Sequence, residues 1–162
     1  MGMGRSLIFK LIRHLIAMQF PQVRWITTAE LAQWLSNPVR SQPLLLDART
    51  KTEYAVSHLA TAQQIDLIAP DLAALGQIDQ DTPLVVYCSI GYRSARVAAQ
   101  LAQAGFTQVY DLEGSIFQWA NEARPLWQAE QPTTKVHPYN AQWSLLLKPE
   151  YRAELQEELP LD

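Results

Sequence analysis

The chain is poor in cysteine, in clustered basic charge and in long apolar runs, and each shortage narrows what it can be. A single cysteine, Cys88, in 162 residues leaves no partner for an intrachain disulfide and too few thiols for a cysteine-built metal site. Lys and Arg number 13 against 16 Asp and Glu, a formal net charge of −3. No block of consecutive basic residues marks a nucleic-acid partner. The apolar stretch at residues 7–20 is broken by Lys10, Arg13 and His14. It is too short and too charged to span a bilayer, and it lacks the uninterrupted apolar centre and small-residue cleavage site of a signal peptide. The expectation is a cytoplasmic protein with no transmembrane segment, no resident metal and no cofactor.

What is present reads as a soluble globular chain. Apolar residues make up 48% and charged residues 18%, far from the composition of a disordered segment. The length suits one domain with extensions, and neither internal repeats nor low-complexity segments occur. Residues 5–20 predict an amphipathic helix, with Ile8, Leu11, Ile12, Leu15 and Ile16 at helical spacing and Lys10, Arg13 and His14 opposite. A basic amphipathic helix can lie on a membrane surface; packing on the domain or on a partner chain is the reading preferred here. A short strand follows at 23–26. Thr27 and Glu30 form a capping-box pattern, with Ile26 and Leu31 placed as a hydrophobic staple, and open a helix that stops near Pro38.

Residues 44–46, all leucine, predict a buried strand ending at Asp47. A second capping box, Thr50 to Glu53, opens a short helix to about His58. Residues 62–65 suggest a short strand, and 71–75 a short helix closed by Gly76. The clearest buried strand, 84–87, runs straight into Cys88. An alanine-rich helix is expected from about Ser94 to Ala104, then a strand at 109–112 and a helix at 115–122. This alternation predicts an α/β fold with a small parallel sheet of about five strands and helices on both faces. Ligands in such folds sit at the carboxyl ends of strands, where Cys88 lies. Beyond Pro125 several prolines break the pattern, yet Trp127, Trp143 and residues 145–147 need burial. The expectation there is an extension wrapping the core, with a terminal helix at 151–159. Residues 136–139 offer a conceivable partner surface, with packing on the domain preferred.

A lone cysteine is ordinarily a small buried hydrophobe; the segment around Cys88 argues otherwise. Cys88-Ser89-Ile90-Gly91-Tyr92-Arg93-Ser94 links a strand to a helix. Such a loop can turn backbone N–H groups of residues 89–94 toward one point. Gly91 supplies conformational freedom, and the following helix adds its positive end. Arg93 adds a permanent charge with forked donors for oxyanions. These features favour a thiolate and would hold an anion bound to or passed through the sulfur.

Five segments in order resemble the rhodanese-like family. Residues 85–94, VVYCSIGYRS, resemble its active-site loop. Asp47 and Arg49 match its D-x-R motif, Glu53-Tyr54 its E-[YF], and Ser57-His58-Leu59 its G-H-I turn. Residues 112–119, LEGSIFQW, resemble its closing L-x-G-G-x-x-x-W signature. The sequence departs from the family where Ser57, Thr61 and Ser115 replace turn glycines. The resemblance divides the chain into an N-terminal helix at 1–22, a rhodanese-like domain at 23–127 and a C-terminal extension at 128–162. It implies a sulfurtransferase in which Cys88 accepts sulfur as a persulfide, the 89–94 amides cradle the substrate anion, and Arg93 orients or neutralises it. Asp47 and Arg49 would brace the loop from behind. His58 would belong to a structural turn, and Glu113 and Gly114 to the pocket rim. The implied partners are a small anionic sulfur donor and a thiol or protein acceptor. With no second thiol in the chain, the sulfur must leave to an external acceptor such as cyanide, a thioredoxin-like thiol or a tRNA-modifying enzyme.

Two competing functions use the same features. A phosphatase or arsenate-processing enzyme also pairs a thiolate with an arginine in an amide cradle, but relatives of that kind carry a loop one residue longer. Here four residues separate Cys88 from Arg93, a tighter cradle that suits sulfur. A regulatory binding module of the same fold is the other alternative; inactive members of the family typically lose the loop cysteine, which this chain keeps.

Overall fold

The computed structural model describes residues 2–155. Five parallel strands, β1 (Arg24–Ile26), β2 (Leu44–Asp47), β3 (Gln63–Gln64), β4 (Leu84–Tyr87) and β5 (Val109–Leu112), form a sheet in the order β1-β5-β4-β2-β3. The central strand β4 is buried along its whole length. Its alternate side chains serve two cores, as the period of two in a strand requires. Val85 and Tyr87 pack with Leu45 and Leu112 on one face. Leu84 and Val86 pack with Leu46 and Val109 on the other.

Helices cover both faces. Helix α1 (Gly2–Gln19), α2 (Thr28–Leu35) and a helix at Ser115–Asn121 bury Phe9, Leu31, Trp34, Phe117 and Trp119 against the first face. The helices at Leu72–Leu75 and Tyr92–Gln103 bury Leu75, Val97 and Leu101 against the second. A short helix, α3 (Lys51–Val56), follows β2; in chain order the remaining three are α4 (Leu72–Leu75), α5 (Tyr92–Gln103) and α6 (Ser115–Asn121). Each fully buried Leu, Val or Phe contributes about 1.5–3 kcal/mol, so these two clusters hold the sheet. Both expected capping boxes form. Glu30 N–H donates to Thr27 Oγ1 at 3.1 Å while Thr27 N–H donates to Glu30 Oε2 at 2.8 Å. Thr50 and Glu53 repeat the exchange at 3.2 and 2.9 Å.

Four expectations need correction. The face that α1 gives the domain is not the one expected: Phe9 and Ile16 are buried, with Ile12 packed beside them. Ile8, Leu11 and Leu15 are exposed. The helix is apolar around more than half its circumference, and the large Phe9 ring selects the buried side. Helix α5 starts at Tyr92 rather than Ser94, because Gly91 takes φ +110° and turns the chain two residues earlier. An antiparallel hairpin, β6 (Leu126–Gln128) and β7 (Gln131–Thr133), opens the segment for which only a wrapping extension, and no strand, was expected. Finally, residues 152–155 are not helical. Of the helix expected at 151–159, only Tyr151 lies in a helical turn, Pro149–Tyr151, and 156–159 fall outside the described residues.

Past the hairpin the chain runs as a strap over the first face. Val136, Leu146 and Leu147 are buried there with Leu126 and Trp119. Asn121 fixes the strap from below, its Nδ2–H donating to Leu146 O at 2.8 Å and its Oδ1 accepting from Lys148 N–H at 2.8 Å.

Candidate active site

Strand β4 delivers Cys88 to the carboxyl end of the sheet, 1% exposed. Its backbone is fixed on both sides: Cys88 N–H donates to Ser115 Oγ at 3.2 Å, and Cys88 O accepts from Ile116 N–H at 3.1 Å. The sulfur receives Gly91 N–H at 3.1 Å and lies 3.4 Å from Ser94 Oγ. Gly91 is required for its conformation rather than for space. At φ +110° an L side chain is strained, although a Cβ there would meet its neighbours at ordinary distances of 3.6 Å or more.

Ser94 joins Cys88 to a residue the sequence reading did not single out. Asp111, fully buried on β5, places Oδ1 2.6 Å from Ser94 Oγ, and its Oδ2 has no partner. Burial pushes the Asp111 carboxyl well above its usual range, and the nearby Cys88 charge adds to this. A single Ser94 proton cannot serve both Cys88 and an ionised Asp111. A neutral Asp111 resolves the conflict, since its O–H can donate to Ser94 Oγ and leave the Ser94 O–H for the sulfur.

Arg93 sits at the pocket but does not stand free. Its Nη1 and Nη2 donate to Glu53 Oε2 and Oε1 at 2.9 and 2.8 Å, and Nη2 also reaches Ser89 Oγ at 2.9 Å. Burial alone would lower the Arg93 pKa, but the Glu53 bonds and the Cys88 charge outweigh it and raise it. For Glu53, 2% exposed, burial pulls upward and is overcome by Arg93, then by Thr50 N–H, leaving its pKa at about 2. One carboxylate thus caps α3 and anchors the loop. Its capping pattern is visible in the sequence; its contact with Arg93, 40 residues on, is not.

Asp47 and Arg49 form a separate, fully buried pair. Arg49 Nε and Nη2 donate to Asp47 Oδ1 and Oδ2 at 2.9 and 2.6 Å, and Nη2 also reaches Ser57 O at 2.6 Å. The pair ties the end of β2 to the turn at 57–59. His58 is held in that turn, stacked on Tyr54 with ring centroids 4.2 Å apart, its Nδ1–H donating to Leu59 O at 2.9 Å. Glu113 ion-pairs with Arg13 at 3.6 Å. With Gly114 it lines a different hollow, beside Thr27 and Glu122, not the hollow above Cys88. Two of the three glycine replacements keep a glycine-like backbone: Thr61 has φ +64° and Ser115 φ +48°. Ser115 uses its hydroxyl there, donating to Leu112 O at 2.9 Å while accepting from Cys88 N–H.

Above the sulfur opens a pocket of about 250 Å³. Loop residues Ser89, Ile90, Tyr92 and Arg93 form its base; α1 and the C-terminal strap form its walls, the strap through Tyr139 and Trp143. Among the described residues no three of His, Cys, Asp and Glu are grouped to hold a metal ion. No helix there is long and apolar enough to cross a membrane.

A parallel five-stranded sheet with a cysteine loop at its carboxyl edge is the framework of the rhodanese-like domain, and the profile of that family matches residues 27–122. The chain belongs to the rhodanese-like domain family. It is 34% identical over 101 residues to the probable adenylyltransferase/sulfurtransferase MoeZ of Mycobacterium tuberculosis, covering 62% of this chain and 25% of that protein. It is 30% identical over 105 residues to the tRNA uridine(34) hydroxylase of Photorhabdus laumondii, covering 62% and 29%. The chain thus spans under a third of the length of these relatives. The crystal structure of the BH2092 protein from Bacillus halodurans shares the fold with a TM-score of 0.64 at 19% identity, covering 85% of this chain and 97% of that one.

Proposed function

We propose that the protein is a sulfurtransferase that carries sulfane sulfur on Cys88, taking it from thiosulfate or a persulfide and passing it to a thiophilic acceptor. The observation that carries this reading is the Cys88 sulfur at the base of the pocket, with Gly91 N–H at 3.1 Å and Ser94 Oγ at 3.4 Å. Gly91 N–H donates to the thiolate directly, and Ser94 O–H does so when a neutral Asp111 donates to the Ser94 oxygen. In the loading step the Cys88 thiolate attacks the outer sulfur of the donor. The Sγ–S bond forms, the donor's S–S bond breaks, and its electron pair leaves with sulfite or with the donor thiolate. The persulfide anion is then held by the amides of 89–94 and by the positive end of α5. In the discharge step the acceptor attacks the outer sulfur and Cys88 departs as thiolate.

Arg93 acts through its charge and by fixing the loop on Glu53, since its terminal nitrogens are already bonded there. Asp47 and Arg49 act behind the loop by holding the end of β2. Sulfur-transfer names among the partial relatives support the reading, as does the four-residue spacing from Cys88 to Arg93. A reduced cytoplasm, where a lone thiol survives, is the proposed setting. Thiosulfate:cyanide sulfurtransferase turnover tests the proposal against phosphomonoester hydrolysis. The wild type is expected to form thiocyanate and the Cys88→Ser variant none; thiocyanate formation by Cys88→Ser at the wild-type rate would overturn it.

A further inference from the structure

Half of the residues lining the pocket above Cys88 come from parts of the chain outside the family match at 27–122. Leu15 and Ile16 come from α1, and Tyr139 and Trp143 from the C-terminal strap. Ile90 completes an apolar surround. The polar groups at its base are already engaged: Arg93 on Glu53 and Ser89, Ser89 Oγ on Glu53, and the Tyr92 hydroxyl on Gln19 Nε2–H. The Tyr139 ring also lies over the Arg93 guanidinium at 4.8 Å. That placement is specific. Tyr139 takes φ +69°, a strained conformation for a bulky residue, and its N–H donates to His137 Nδ1 at 3.0 Å. The strap therefore spends backbone strain to lay an aromatic ring across the one cation among the described pocket residues.

A compact anion such as cyanide gains little from these walls, whereas an alkyl or aromatic arm entering them leaves water. Resting on the sulfur-transfer reading above, we infer that the acceptor in the discharge step is an organic thiol carrying an apolar arm that lies between α1 and the strap. The step is an exchange without net redox change. The acceptor thiol gives its proton to the persulfide anion, its thiolate attacks the outer sulfur of the resulting Cys88–S–SH, a new S–S bond forms on the acceptor, the Sγ–S bond breaks, and its electron pair leaves on Cys88 as thiolate. The acceptor departs as its persulfide with the proton.

The test is discharge of the thiosulfate-loaded full chain, freed of donor, by a series of straight-chain alkanethiols from ethanethiol to hexanethiol, whose thiol acidities are closely alike. The second-order rate is expected to rise about fourfold per added methylene until the pocket is filled. Trp143→Ala and Leu15→Ser are expected to flatten that series, and Val39→Ser, at a surface position 92% exposed, to leave it intact. Leu15 is itself 56% exposed, so its variant does not depend on core packing. A rate independent of chain length overturns the inference. If no persulfide loads, the sulfur-transfer reading fails instead, and the pocket is read separately. Straight-chain alkanols should then slow alkylation of Cys88 by iodoacetamide, with the same dependence on chain length; alkanol protection that does not grow with length overturns the pocket claim by itself.

Discussion

Two arginine–carboxylate pairs among the described residues, Arg49–Asp47 and Arg93–Glu53, lie buried near the carboxyl edge of one sheet, and they are built for different work. Arg49 and Asp47 are both fully buried, neighbours two residues apart on one turn, and do not line the pocket above Cys88. Arg93 and Glu53 come from elements 40 residues apart, and the arginine side chain keeps 17% of its surface open to the pocket. The first pair has every reason to be structural: it joins β2 to the 57–59 turn at a site water does not reach. The second joins α3 to the loop that presents Cys88, so its geometry is read by the sulfur. Similar ion-pair chemistry becomes a brace in one place and part of a site in the other through burial and through what the partners are attached to.

The largest effect is expected from breaking the brace. Arg49→Met leaves Asp47 buried without its partner and should cost about 3–5 kcal/mol in denaturant unfolding. Replacing both, Asp47→Leu with Arg49→Met, should recover much of that, because an apolar pair needs no desolvated charge. A loss confined to activity, with stability intact, would contradict the structural role.

Next comes Glu53→Gln, which removes charge from the loop anchor and should cost about 2 kcal/mol. Its pH signature separates it from the brace. The Glu53 pKa falls from 4.5 unfolded to about 2 folded, so its stabilisation is full above the unfolded value and lost as pH falls through the folded one. The variant should therefore lose less stability than the wild type between pH 5 and pH 2, measured by thermal unfolding across that range.

The smallest effect at acid pH is expected at Asp111. Its folded pKa is raised, so its contribution is full below the unfolded value near 4 and is lost as pH rises toward the folded one. Asp111→Asn keeps the shape and does not ionise. It should match the wild type at pH 4 within about 0.5 kcal/mol and become progressively more stable than the wild type as pH rises above the unfolded value. A variant that instead loses stability as pH rises would show that Asp111 is buried charged.

Much of the frame was legible because it is written in local signals. Both capping boxes, the leucine run of β2 and the β-branched run of β4 each follow from neighbours within a few residues, and the central strand and its cysteine could be placed from them. The site was only half legible. Cys88, Gly91 and Ser94 lie within one seven-residue stretch and were readable together. Glu53, Asp111 and Ser115 reach that loop from three other elements, and only folding brings them there. Asp111 left a faint trace as a lone acid inside the apolar strand VYDL. Trp143 was legible as a residue needing burial and Tyr139 as part of a contact segment, but nothing tied either to Cys88: their strap follows a hairpin whose turn, at Ala129 with φ +52°, carries neither glycine nor asparagine.

The Arg93–Glu53 pair serves a site only if the loop it holds presents a working nucleophile. Intact-protein mass measurement after thiosulfate treatment tests that most directly. The account predicts one added sulfur on the wild type, removed by reductant, and none on Cys88→Ser. An unchanged wild-type mass, or equal sulfur on the Cys88→Ser variant, would contradict it.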